Sequence, residues 1–282
     1  MTELKLGVVE YINCWPVHYG FDYDEIDIDA KIVAGPPAEL NEMFLRGEVD
    51  ITPMSSIEYA RNFDDCYILP DLAIASDGSV GSLFLFSEVQ IEDFTSKTVA
   101  LPEDSRSTVA LLKILLERYY QVNVDYITCE QDLDYMLEVA DAALLIGDPA
   151  LNEYIEHQNS DLNITDLGAA WKNLTGKKMV YAIWVIRKEF ADQHSELVAK
   201  VSNKLLKSKY LGLNQVELLA KRAKEEIDIP EEISLKYFKS LCYDFDEDYQ
   251  KGVMKYFADA YELSLIDKWP KLHIWSEENG RS

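Results

Sequence analysis

The chain has 282 residues, 27 basic against 51 acidic side chains, a formal net charge of −24 and 48% hydrophobic residues. That length favours two lobes over one compact unit and supplies ample core material, while the acidity argues against nucleic acid and membrane surfaces as partners. Cys14, Cys66, Cys129 and Cys242, like His18, His157, His194 and His273, are widely dispersed without metal-ligand spacing, so neither a metal site nor a disulfide framework is expected.

Residues 6–9 read as a first strand, and Pro16 biases the segment after it, 10–16, towards a loop at the strand's end. No leader peptide is read in the opening residues, and the apolar run 179–186 is far shorter than the roughly 20 residues a membrane span needs. A cytoplasmic protein is expected. After a strand at 30–33, Pro36 and Pro37 suit a first helical turn, with Leu40, Met43 and Phe44 at i, i+3, i+4 and a stop at Gly47. Residues 49–52 read as a short strand, and Ser55 or Ser56 caps a helix carrying Ile57, Tyr59 and Ala60. Backbone N–H groups and the helix dipole make such a start a natural pocket for a small anion.

A strand is expected at 67–75, then the small-residue run 77–82 leading into apolar 83–86. Residues 98–101 begin a new strand, and Ser105-Arg106-Ser107-Thr108 precedes a helix with Val109, Leu112, Leu115, Leu116 and Tyr119 in helical register. Next come a strand at 124–127, a helix at 131–139 and an apolar strand at 142–146. Gly147-Asp148-Pro149 then opens another helix. Residues 166–171 look like a loop, 179–186 like a return strand, and the remainder like helices near 195–211, 214–226, 232–241 and 247–262. The expected architecture is α/β and two-lobed, with a ligand cleft between the lobes and a helical C-terminal part. Residues 1–87 and 184–282 form one discontinuous lobe and 88–183 the other.

Several ordered motifs then become specific. They are Tyr11-x-Asn13-x-x-Pro16, Gly35-x-Pro37-x-x-Leu40-Asn41, Gly47-Glu48-x-Asp50, Pro53-x-Ser55-Ser56-x-Glu58-Tyr59-Ala60 and Ser79-Val80-x-Ser82-x-x-Leu85-Phe86-Ser87. Further along stand Ser105-Arg106-Ser107-Thr108-Val109-x-Leu111-Leu112, Leu145-Ile146-Gly147-Asp148-x-Ala150-Leu151 and Asp166-Leu167-Gly168-x-x-Trp171-x-x-x-Thr175-Gly176. Together they resemble the chorismate dehydratases of the futalosine route to menaquinone. The resemblance implies a fold like that of type II periplasmic binding proteins and the loss of water from chorismate to give 3-[(1-carboxyvinyl)oxy]benzoate. It puts the family's asparagine on Asn13 and its key serine on Ser82, as catalytic residues, and implies no cofactor and no metal. The order Ser107-Thr108 departs from the family's more usual Ser-x-Thr-Ser.

Chorismate carries two carboxylates, so donors are sought in both lobes. Ser55 and Ser56 are the candidates in one, Ser105, Arg106, Ser107 and Thr108 in the other, with Asp148 a further candidate contact. Neutral Asn13 and Ser82 both donate and accept, and suit the reacting edge. Glu58 and Asp50 are acid–base candidates of a kind an acidic chain supplies in plenty. Two other readings stand beside this one. A sister enzyme class makes 1,4-dihydroxy-6-naphthoate on the same fold, but opens with a different motif. A non-catalytic binding protein of the same fold is the other.

Overall fold

The computed structural model describes residues 3–103 and 106–276. Strand β1 (Leu4–Val8) runs into a 3-10 turn at Ile12–Cys14 and helix α1 (Trp15–Asp22). This helix departs from the expected loop because Pro16 sits in the first turn, where its missing N–H costs nothing. Strand β2 (Ala30–Ala34), helix α2 (Pro37–Leu45), strand β3 (Ile51–Ser55), helix α3 (Ser56–Asn62) and strand β4 (Cys66–Ser76) follow.

Next come β5 (Leu83–Ser87), β6 (Thr98–Pro102), α4 (Arg106–Lys113) continuing as a π-helix over Ile114–Tyr120, and β7 (Asp125–Cys129). The middle of the chain continues with α5 (Leu133–Val139), β8 (Ala142–Ile146), α6 (Gly147–His157), β9 (Asn163–Asp166) and α7 (Leu167–Thr175). Strand β10 (Met179–Arg187) then leads to α8 (Lys188–Gln193), α9 (Ser195–Leu213), α10 (Val216–Ile227) and α11 (Glu231–Ser240). A short β11 (Leu241–Cys242) and α12 (Glu247–Glu262) end the ordered elements.

Helix α7 replaces the loop expected at 166–171. The Asp166 side chain accepts from Ala169 N at 2.9 Å and supplies the cap that starts it.

The strands form two sheets, in the orders β11-β4-β10-β3-β1-β2 and β7-β6-β8-β5-β9. In the first, β1 is parallel to β2 and β3, and β10 runs antiparallel between β3 and β4. In the second, β6 is parallel to β7 and β8, while β5 runs antiparallel between β8 and β9. A division after residues 87 and 183 therefore meets a difference. β5 already pairs in the second sheet, and β10 belongs wholly to the first, so the chain changes sheet earlier, before Leu83 and before Met179.

Alternation along β5 shows how the second sheet is built. Leu83 and Leu85 join the main core, whereas Phe84 and Phe86 face a second cluster with Leu133, Met136 and Ala143. Both faces are covered, which is why the strand reads as an unbroken apolar run. Among the described residues no helix is long and apolar enough to cross a membrane.

Candidate active site

A cleft of about 270 Å3 is lined by residues from the elements of both sheets. Val9 and Ser55 bring to it the carboxyl ends of β1 and β3, and Ile146 and Gly147 bring that of β8. Strand ends are where an open α/β sheet leaves a crevice, because the chain there turns away into helices.

The polar lining is short of partners. Asn13 Oδ1, Asn41 Oδ1 and Ser55 Oγ are buried, accept or donate no hydrogen bond, and all belong to cleft-lining residues. An unpaired buried polar atom costs on the order of 1–3 kcal/mol, and native structures hold few of them. Three of the seven such atoms among the described residues belong to this one cleft, where the polar groups of a ligand can satisfy them.

Other hydroxyls are pinned by protein donors. Ser82 is 4% exposed and its Oγ accepts from Tyr237 Oη at 3.0 Å. Ser107 Oγ accepts from Ile57 N at 3.0 Å, so the first turn of α3 is held by a residue of α4. Tyr256 Oη in turn donates to the Ser107 carbonyl at 3.0 Å. Tyr181 Oη lies 2.8 Å from Ser76 Oγ, which itself donates to the Gly78 carbonyl at 2.9 Å. Burial pushes the Tyr181 and Tyr237 phenols up, so both remain protonated donors. It also pushes the Cys14 thiol up to about 12, leaving a lining group rather than a nucleophile.

The loop carrying Ser82 is set by Asp166. Its carboxylate accepts from Val80 N at 3.0 Å and Gly81 N at 2.8 Å as well as from Ala169 N. Burial raises the Asp166 carboxyl above its ordinary value, and these backbone N–H groups pull the other way. Gly81 takes φ +77°, which a side chain resists, and the Tyr237 ring packs against it.

The charged lining is mostly acidic: Glu42, Glu58, Glu103 and Arg106. Glu58 is 5% exposed and shared by two arginines, Arg61 Nη1 at 2.6 Å and Arg106 Nη1 at 3.3 Å. Arg106 is the cation among the described lining residues, on a largely exposed side chain.

The structure thus brings Asn13, Ser55, Ser82, Arg106, Ser107 and Thr108 to one cleft. Ser56 and Asp148 are not among its lining residues. The Ser56 hydroxyl donates to the Val180 carbonyl at 2.7 Å, because its position inside α3 turns it towards β10. Asp148 follows the cleft-lining Gly147 in the first turn of α6. Ser105 lies outside the described residues. Asp50 instead ties the sheet, accepting from Lys5 N at 2.9 Å and pairing with Arg187 at 3.0 Å.

Asn41 and Tyr237 carry more of the cleft than the sequence reading gave them. Asn41 had a visible signal, a polar residue on the buried stripe between Leu40 and Phe44. Tyr237 had none, since it arrives from α11 across a separation of 155 residues.

The placement of Asp148 carries a prediction. Burial raises its carboxyl from 3.8 to about 6. A raised carboxylate favours folding only while protonated. Stability therefore falls as pH rises through the unfolded value, and the penalty is complete above the folded one. Asp148→Asn should stabilise the protein above pH 6, by about 2 kcal/mol at most after allowing for residual solvent. Below about pH 4 the difference should vanish. Urea unfolding across that range checks it.

Comparison with known proteins adds to the geometry. A family model described as "Menaquinone biosynthesis" matches residues 4–262. A chorismate dehydratase of Thermus thermophilus is 27% identical over 276 residues, covering 93% of this chain and 97% of that protein. Among solved structures, protein AF1704 from Archaeoglobus fulgidus gives a TM-score of 0.73 at 17% identity, over 94% of this chain and 98% of that one. The periplasmic aliphatic sulphonate binding protein SsuA from Escherichia coli gives 0.68 at 14% identity, over 97% and 92%. At such identities the two structures speak for the fold, that of the periplasmic binding proteins, as the motifs led one to expect.

Proposed function

The chain belongs to the menaquinone biosynthesis family, and from that premise we propose that it is a chorismate dehydratase, a hydro-lyase working in the cytoplasm. The observation that carries the reading is the set of unpaired polar atoms on Asn13, Asn41 and Ser55 around a cleft of about 270 Å3. A six-membered ring with two carboxylates and a hydroxyl is the kind of ligand such a set accommodates.

Chemically, the C3–H electrons become the C3–C4 double bond as the C4–O bond breaks. The proton and the hydroxide leave as water. The ring becomes aromatic, which supplies the driving force, so the site has to position more than to push. Asn13 and Ser82 are placed at the reacting edge in this proposal, with the Ser82 proton supporting the departing hydroxyl. Ser55, Ser107, Thr108 and Arg106 receive the carboxylates. The substrate's own enolpyruvyl carboxylate takes the C3 proton, since the buried lining carboxylate, Glu58, is already paired with two arginines. No step calls on a metal or a cofactor.

Incubating the purified protein with chorismate tests the reading. A new aromatic acid lighter by one water is expected, whereas chorismate returned intact from a tight complex would favour a binding protein.

Salt dependence follows from the same lining. The substrate is a dianion, the protein carries −24, and the cleft holds three carboxylates beside Arg106. Long-range encounter is repulsive and is screened beyond a Debye length of about 10 Å at 0.1 M salt. Raising sodium chloride to moderate concentration should leave kcat/KM unchanged or increase it. A steep fall would mean that attraction by a basic groove governs binding.

A further inference from the structure

We propose that Tyr237 is a positioning residue for the dehydration, fixing the Ser82 hydroxyl so that its proton is delivered into the cleft. The proposal rests on the dehydratase reading above and deepens it. A serine hydroxyl has one proton and two lone pairs. Which of them meets a ligand is settled by its other neighbours. Here Tyr237 Oη donates to Ser82 Oγ at 3.0 Å, so the serine oxygen is already accepting. Its backbone is held as well, the Ser82 carbonyl accepting from Gly147 N at 2.8 Å. The proton that remains is the group Ser82 offers to a substrate oxygen.

Tyr237 is built for a fixed role. It is 4% exposed, and burial keeps its phenol protonated. Ser240, one turn further along α11, donates to the Tyr237 carbonyl at 2.7 Å and reaches the Val80 carbonyl at 3.4 Å. The aromatic ring lies against Gly81, the residue before Ser82. Helix α11 is therefore fastened at several points to the loop that carries Ser82. A departing hydroxide gains negative charge as its bond to carbon breaks, and a fixed O–H donor there is worth most at that moment. With Tyr237 donating, the Ser82 proton is turned away from the phenol oxygen. Without it, the proton is shared among orientations.

The test is a double-mutant cycle of Tyr237→Phe and Ser82→Ala, read in three ways. The Phe variant keeps the ring packed on Gly81 and removes the donor alone. In the wild-type background Tyr237→Phe should lower kcat about tenfold with KM within twofold. In the Ser82→Ala background it should change neither. A purely structural role would instead lower the melting temperature and cost the same factor in both backgrounds, and that result, or no loss in either, overturns the proposal.

A binding readout separates this proposal from the reading it rests on. The probe is 3-(carboxymethoxy)-4-hydroxybenzoate, a stable ring that keeps both carboxylates and the C4 oxygen. Tyr237→Phe should weaken its binding several-fold when Ser82 is present and not when it is Ala. Wild-type protein that binds the probe with this pattern but leaves chorismate intact would refute the dehydratase reading and keep the Tyr237–Ser82 link. Failure of the wild type to bind the probe, or equal weakening in both backgrounds, would refute the link.

Discussion

Asn13→Ala and Ser82→Ala should each lower kcat for chorismate on the order of 10²–10³-fold while the protein stays folded. Each substitution removes a polar group that faces a cleft, and neither empties core volume. Removal of one donor aimed at charge developing in a transition state has effects of that size. The two residues come to the cleft beside different sheets: Asn13 from the turn after β1, Ser82 from the loop before β5. Asn13 Oδ1 has no protein partner, so Asn13→Ala also removes an unsatisfied buried atom and should leave the melting temperature unchanged or raised. Near wild-type turnover in both variants, measured by the appearance of aromatic product, would remove these residues from the mechanism.

The second large effect is expected at a residue that need not touch substrate. Asp166→Ala should lower the unfolding free energy by about 3 kcal/mol or more and lower kcat/KM together with it. One carboxylate serves Val80 N, Gly81 N and Ala169 N. Its removal strands three backbone donors at once, each costing on the order of 1–3 kcal/mol when left buried. The same bonds shape the turn that ends at Ser82, so stability and activity are coupled here, whereas at Asn13, whose Oδ1 has no protein partner, they are separable. Chemical denaturation and steady-state kinetics on the same preparation distinguish the cases. Full stability in Asp166→Ala would show that water replaces the carboxylate and that the loop is held by its other contacts.

How much of this was legible in the sequence depends on whether the cause was local. Helix α2 and its stop were readable because the apolar stripe of Leu40 and Phe44 and the φ +76° of Gly47 are local requirements. Helix α1 was hidden by Pro16, which breaks a helix in its interior but suits its first turn. Helix α7 was hidden because its first residues, Leu167-Gly168-Ala169-Ala170, look loop-like until Asp166 is seen as their cap. The motif reading assembled Asn13, Ser55, Ser82, Arg106, Ser107 and Thr108, and all of these line the cleft. It included Ser56 beside Ser55, where adjacent residues at a strand–helix junction point to different neighbours: one at the cleft, the other at Val180. What sequence alone did not carry was the pairing of hydroxyls across long separations, Tyr237 with Ser82 and Ile57 with Ser107. Those pairs exist only once both sheets and the C-terminal helices are packed.

The fate of a label at ring C3 separates dehydration from binding without turnover. Chorismate deuterated at ring C3 is incubated with chelator-treated protein, and the products are resolved by mass spectrometry. Expected is 3-[(1-carboxyvinyl)oxy]benzoate free of deuterium, the label leaving with the lost water, with wild-type turnover retained after metal removal and lowered on the order of 10²–10³-fold in Asn13→Ala and Ser82→Ala. Recovery of labelled chorismate unchanged, or of an isomer of the same mass that keeps its deuterium, would contradict the dehydratase reading.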